Sequence, residues 1–153
     1  MIKVLFICHG NICRSTMAQF VMQDMVNKLN MMDEFEIDSM ATSTEEIGNR
    51  PHHGTIRKLN EVGIPVIDHR AQQLTKRDYD EWDYIIGMDK WNIKNINRII
   101  GEDKDNKVSM LLDYTDNPRD IADPWYTGNF DKTYDDIVEG LNAFLDFVLK
   151  REG

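Results

Sequence analysis

The sequence predicts an α/β sandwich: a parallel sheet covered by helices on both faces, built as one domain over residues 1–153. Three observations predict it. Two apolar runs of strand length, MIKVLFI at 1–7 and DYIIGM at 83–88, lack the alternation of half-exposed strands, as expected of strands buried on both faces. Segments with a helical apolar period stand between the strand candidates, the pattern of parallel strands joined by right-handed crossovers. A chain of 153 residues can bury a real core, and it shows no linker, repeat or low-complexity tract at which a second unit would begin.

The first strand is interrupted only by Lys3. After the loop CHGNICRS (8–15), the segment TMAQFVMQDMVNKL places Ala18, Val21, Met22, Met25 and Leu29 on one helical face, its methionines reading as core filler. FEIDS (35–39) alternates apolar and polar and reads as the second strand. ATSTEEIGNRPHHG (41–54) is polar and broken, a loop bordering the site in which His52 and His53 read as solvated. Ile56, Leu59 and Val62 mark a helix over 55–62, with Gly63 as its C-cap ahead of Pro65. Thr75 and Asp78 have the spacing of a capping box. The third strand, 83–88, is followed by Asp89 as the cap of a helix carrying Ile93, Ile96 and Ile100, ending at Gly101. KVSMLL (107–112) reads as the fourth strand, and Tyr134, Ile137, Val138, Leu141, Phe144, Leu145 and Val148 hold one face of a final helix despite Gly140. With right-handed crossovers the first strand lies in the middle of the sheet, so its loop falls at the switch point where such folds collect ligands.

That loop carries the chemistry. Cys8 opens it, Arg14 closes it six residues later, and a helix begins beyond. A loop in this position aims free N–H groups and the positive end of a helix dipole above the sheet, an anion site. The guanidinium forks onto a tetrahedral oxyanion from the side. Cys8 then sits beneath the phosphorus, and the amides, the helix terminus and Arg14 all favour an ionised sulfur. Ser15 adds a hydroxyl toward it, while Gly10 and Asn11 supply the backbone freedom of a tight curl. A Cys and an Arg at this spacing also occur as an inert buried thiol and a surface cation; the preceding strand, the Gly, the Ser and the helix favour the catalytic reading.

CHGNICRS after an apolar strand, DHRAQQLT, YIIGMD and a late DPWY together resemble the low molecular weight protein tyrosine phosphatases, over essentially the whole length and in the right order. The resemblance implies a flavodoxin-like fold with strand order 2-1-3-4, and a phosphomonoesterase that uses a cysteine, no metal and no cofactor. It implies phosphotyrosine-containing proteins or small aryl phosphates as substrates, with inorganic phosphate as product. Residue by residue it implies phosphate and substrate contacts from His9, Gly10, Asn11, Ile12, Cys13 and Ser15. A hydrogen-bonded group of Asn11, Ser15, Ser39 and His69 is implied behind the loop, although His69 taken alone reads as a surface histidine. Cys13 has two readings, a small buried filler or a redox partner of Cys8; paired cysteines in this loop are a feature of the resembling family.

Expelling a tyrosine phenolate needs a proton donor at the leaving oxygen. Asp123 is the candidate, in the turn-rich NPRDIADPWYTGNF (117–130), where Pro124 restricts it to an extended backbone; Asp116 and Asp120 are its local competitors. The resembling family's late Asp-Pro-aromatic matches Asp123, Pro124 and Trp125. Trp125 and Tyr126 then form a wall beside the substrate ring, with ordinary surface as the alternative for Tyr126. Three departures from the family pattern stand near the site. Glu45, followed by Glu46, occupies a place often held by an aromatic, which implies altered peptide preference or simply a solvated charge pair. His9 replaces a commoner apolar residue, bringing a positive charge to the pocket mouth, and Thr16 replaces a usual Pro.

A formal charge of −9, from 18 basic and 27 acidic residues, disfavours nucleic acid and anionic membranes as partners. No apolar run approaches membrane-spanning length, the start is too short for a signal peptide, and two cysteines five apart fit a reducing compartment; a cytoplasmic protein is expected. Arsenate reduction on the same fold calls for further downstream cysteines, and none follows Cys13. Phosphoarginine hydrolysis goes with Thr where this chain has Ile12. A phosphotyrosine-binding module without turnover, or a nucleotide-binding domain, would have no need of Cys8, Arg14, Ser15 and an acid together.

Overall fold

The computed structural model describes residues 1–152. Strand β1 (Ile2–Cys8) lies between β2 (Phe35–Ala41) and β3 (Tyr84–Gly87), with β4 (Val108–Met110) outside β3; the sheet order is β2-β1-β3-β4 and all pairs are parallel. Cys8 pairs with Ala41 and Ile7 with Gly87, so the strands end together along one edge. This is the 2-1-3-4 order implied by the resemblance.

Alternate residues of the buried strands feed two cores. Val4, Phe6, Tyr84 and Ile86 pack with α1 (Arg14–Lys28) and α6 (Phe130–Glu152) on one face, beside α2 (His53–Glu61). Leu5, Ile7 and Ile85 pack with Ile96 and Ile100 of α4 (Lys90–Ile100), and with Tyr79 and Trp82 around the single turn α3 (Asp78–Glu81), on the other. Asp89 caps α4 by accepting from Asn92 N–H, and Asp78 reaches back to the N–H and hydroxyl of Thr75.

The structure corrects the sequence reading in four places. Helix α1 starts at Arg14, and its buried surface is wider than one stripe: Met17, Phe20 and Val26 are buried together with Ala18, Val21 and Met22, because the helix is wedged between the sheet, α6 and α2. Leu29, assigned to that face, is 51% exposed at the C-cap. Strand β4 has three residues, not six; Leu111–Tyr114 turns into a 3-10 helix that drives Leu111 and Leu112 against α6. A Cβ on Gly140 would sit 2.6 Å from Leu111 Cγ, so this glycine is what lets α6 cross so closely. Finally, His52 is half-buried and not solvated: it is the N-cap of α2, its ring accepting from Gly54 N–H.

Candidate active site

The loop between β1 and α1 is held from outside by its carbonyls. The Cys8 carbonyl accepts from Thr42 N–H, that of His9 from Ser43 N–H, that of Ile12 from His52 N–H, and that of Cys13 from the hydroxyls of Thr16 and Thr55. Within the described residues the N–H groups of Gly10, Asn11, Ile12 and Cys13 donate to no protein acceptor. Asn11 turns the corner at φ +60°, in the left-handed region that Asn tolerates because its short amide can bond locally.

The Asn11 amide organises the floor of the loop. Its Nδ2 donates to Ser15 Oγ at 2.8 Å and Ser39 Oγ at 2.9 Å, while its Oδ1 accepts from His69 Nε2 at 2.9 Å and Gln72 N–H at 3.3 Å. Ser39 passes its own hydrogen to Gln19 Oε1. Ser15 Oγ, which accepts from Asn11, lies 3.1 Å from Cys8 Sγ: it accepts from the thiol, and its own hydrogen is available to the sulfur once that sulfur is ionised; Ser15 N–H points to the same sulfur at 3.4 Å. His69 must carry its proton on Nε2 to serve Asn11. Burial lowers its pKa below the usual 6.5, against the opposing pull of Asp38 and Asp68.

Arg14, 2% exposed, is clamped from two sides. Nη1 donates to Asp89 Oδ2 at 2.7 Å and to the Ile121 carbonyl at 2.8 Å, and Nη2 reaches Asp123 Oδ2 at 3.5 Å. Burial acts to lower its pKa, but Cys8, Asp89 and Asp123 outweigh it and raise the value, so the cation is secure. Asp89 was visible in the sequence only as a helix cap. It has two duties, Oδ1 on Asn92 N–H and Oδ2 on Arg14, and its place directly after the third strand, on the same sheet edge as the loop, was the signal available.

Cys8, His9, Gly10, Ile12, Cys13, Glu45, Glu46, Asp123, Trp125 and Tyr126 line one cleft over the edge of the sheet. Arg14, Asn11, Ser15, Ser39 and His69 are buried and do not line it; Arg14 is tied to the lining through Asp123, and the other four through the loop that Asn11 holds. Asp123 is extended (φ −79°, ψ 115°) before Pro124 and caps the short helix α5 (Pro124–Thr127), its Oδ1 accepting from Trp125 N–H at 3.0 Å. Of its competitors, Asp120 binds Lys90 N–H and Asp116 stands outside the cleft lining. Trp125 and Tyr126 are 57% and 83% exposed. Two of the departures meet: His9 Nε2 and Glu45 Oε2 are 2.7 Å apart at the mouth, so Glu45 has a hydrogen-bond partner there, and Glu46 accepts from Asn49 Nδ2 beside it. Thr16 spends its hydroxyl on the Cys13 carbonyl. Cys8 and Cys13 are both free thiols, and burial, followed by the charge of Cys8, pushes Cys13 up to about 12. Among the described residues no group of three or more His, Cys, Asp or Glu side chains gathers as a metal site.

Residues 3–153 match the family model described as low molecular weight phosphotyrosine protein phosphatase. The chain is 37% identical over 154 residues to the low molecular weight protein-tyrosine-phosphatase YfkJ of Bacillus subtilis, covering 99% of each, and superposes on the YfkJ crystal structure with a TM-score of 0.97 over 100% of this chain and 98% of that one. It is 39% identical over 156 residues to the low molecular weight phosphotyrosine protein phosphatase of Saccharomyces cerevisiae, covering 99% and 95%. A more distant solved structure, a Drosophila arginine phosphatase, is 26% identical with a TM-score of 0.87, covering 96% and 98%.

Proposed function

The chain belongs to the low molecular weight phosphotyrosine protein phosphatase family of hydrolases, and from that premise we propose that its cleft hydrolyses aryl phosphate monoesters by way of a cysteinyl phosphate on Cys8. Phosphotyrosine-containing proteins and small aryl phosphates are the substrates, and inorganic phosphate is the product.

The reaction divides into two displacements. The Cys8 thiolate attacks phosphorus in line; the S–P bond forms as the P–O bond to the phenol breaks, and protonated Asp123 gives its proton to the departing oxygen. Asp123, now ionised, takes a proton from water, whose oxygen attacks phosphorus and expels the Cys8 thiolate, releasing inorganic phosphate. Throughout, the equatorial oxygens are held by Arg14 and by the loop N–H groups that have no protein acceptor, in a site where fixed dipoles need no reorganisation. The Ser15 hydroxyl steadies the sulfur in its thiolate form. Trp125 and Tyr126 flank the aryl ring, Ile12 gives the loop an apolar contact, and His9, Glu45 and Glu46 meet whatever lies next to the phosphotyrosine.

One observation carries this reading. Residues far apart in the chain converge: Cys8 and Asp123 line one cleft, and Asp123 Oδ2 stands 3.5 Å from Nη2 of Arg14, the buried arginine that closes the Cys8 loop. No helix among the described residues is long and apolar enough to cross a membrane, and both cysteines are free; the same reading puts the protein in the cytoplasm.

The test is turnover of phosphotyrosine, phosphoserine and phosphoarginine peptides, with and without EDTA. The expected result is hydrolysis of the phosphotyrosine peptide alone, insensitive to EDTA and abolished in Cys8→Ser. In Asp123→Ala the loss in kcat/KM should be on the order of 10²–10⁴-fold for a phenol leaving group and far smaller for a strongly acidic one. Equal slowing of both esters would remove Asp123 from the acid's role, and preference for phosphoarginine would reassign the substrate.

A further inference from the structure

His52 stands outside the chemistry just described, yet it touches both halves of the site. Its backbone N–H donates to the Ile12 carbonyl of the Cys8 loop at 2.8 Å. Its ring accepts from Gly54 N–H at 2.9 Å through Nδ1, which fixes the ring's orientation as the cap of α2. In that orientation the ring stacks with Phe130 at a centroid distance of 5.3 Å and an interplanar angle of 19°, and with His53 at 4.2 Å and 28°. It also meets Trp125 edge-on, at 5.5 Å and 79°. The backbone N–H of Trp125 in turn donates to Asp123 Oδ1 at 3.0 Å. Phe130 is pinned as well: a Cβ on Gly54 would fall 2.4 Å from its ring, so α2 and the start of α6 leave one slot for this stack.

We propose, on the phosphatase reading above, that His52 is a positioning residue that ties the Asp123 loop to the Cys8 loop, its backbone holding Ile12 and its ring holding Trp125. The proton-donating carboxylate sits on a short loop with two exposed aromatics, and the ring contact is what sets where that loop rests over the sulfur. The ring has to be neutral at Nδ1 to accept from Gly54. Burial and the neighbouring His53 and Arg57 lower its pKa, with Glu46 opposing, which keeps that acceptor available at neutral pH.

Two substitutions separate the ring from the cap. His52→Asn keeps a good N-cap acceptor and removes the ring; His52→Phe keeps a ring and removes the acceptor. In His52→Asn, kcat/KM for phenyl phosphate, which reports the step that expels the phenol, should fall by about tenfold or more, and kcat/KM for dinitrophenyl phosphate, whose leaving group needs no proton, by less than about threefold. His52→Phe should keep the wild-type ratio between the two esters while melting at a lower temperature. Wild-type kinetics in His52→Asn, or equal slowing of both esters, would overturn the proposal. A second readout needs no turnover: in ¹⁵N–¹H spectra the Trp125 backbone and indole resonances should shift in His52→Asn and stay near wild type in His52→Phe. Unmoved Trp125 resonances in the Asn variant would sink the proposal even in an active enzyme, whereas a wild-type protein that cleaves no aryl ester would sink the phosphatase reading while the spectra still report on the contact.

Discussion

Replacing Asn11 is the sharpest probe of how the loop is held, because its backbone and its side chain can be perturbed separately. In Asn11→Ala the fully buried amide disappears. The Gln72 N–H loses an acceptor at 3.3 Å and the His69 Nε2–H loses one at 2.9 Å, keeping only Ser39 Oγ at 3.3 Å. Stranding a buried donor costs about 1–3 kcal/mol, which applies to Gln72 N–H, and His69, left with its longer contact to Ser39, adds about 1 kcal/mol, so the two together cost about 2–4 kcal/mol; the serine hydroxyls lose less because each keeps another partner. Alanine at a φ of +60° adds about 1 kcal/mol of left-handed strain. The sum, about 3–5 kcal/mol, is a large share of the roughly 5–15 kcal/mol that holds an ordinary domain. Asn11→Gly suffers the same hydrogen-bond loss without the strain, but gains about 0.5–1 kcal/mol of chain entropy in the unfolded state, so it should be the more stable of the two by less than about 1 kcal/mol. Urea unfolding at constant m-value measures both. Both variants should also lose aryl phosphatase activity, since nothing then orients the Ser15 hydroxyl 3.1 Å from the sulfur. A loss under about 1 kcal/mol in the Ala variant, or a Gly variant less stable than Ala, would refute the account of the loop.

His69 gives a pH dependence with a definite sign. Its folded-state pKa lies below the unfolded value of 6.5 because burial penalises the charged ring, so below that pH the unfolded chain binds more protons. Its contribution is complete above about pH 6.5 and is lost as the pH falls through the folded-state value. Melting temperatures between pH 7.5 and 5 should therefore fall less steeply in His69→Gln than in wild type; His52, shifted in the same direction, keeps the slope from vanishing. Superimposable curves would contradict it. Cys13, pushed up to about 12, keeps its proton at pH 8. Folded Cys8→Ser protein should take up no iodoacetamide there and one equivalent in urea, by intact mass, and labelling of the folded form would show a reactive Cys13.

Packing overrides periodicity in several strands and helices. Leu29 satisfies the helical period but lies past the last turn that the sheet covers, and Phe20 and Val26 break the one-stripe pattern because α1 has neighbours on several sides. KVSMLL is apolar enough for six residues of strand, yet Leu111 leaves the ladder to fill the space over Gly140. His52 reads as solvated because a histidine in a polar tract carries no local mark of the rings it meets, and Phe130 lies 78 positions away.

What the sequence by itself determined is the chemistry carried by chain neighbours: a sulfur, an arginine and a serine spaced on one loop after a buried strand, and an aspartate stiffened by the proline that follows it. These need only local backbone geometry to act together. The tertiary structure alone decided that Asp89, 75 residues from Arg14, takes its guanidinium, that His9 pairs with Glu45, and that Asn11 reaches His69 across 58 residues. Those contacts follow from the order in which the strands lie side by side, which brings their carboxyl ends to one edge, and no short stretch of the chain encodes that order.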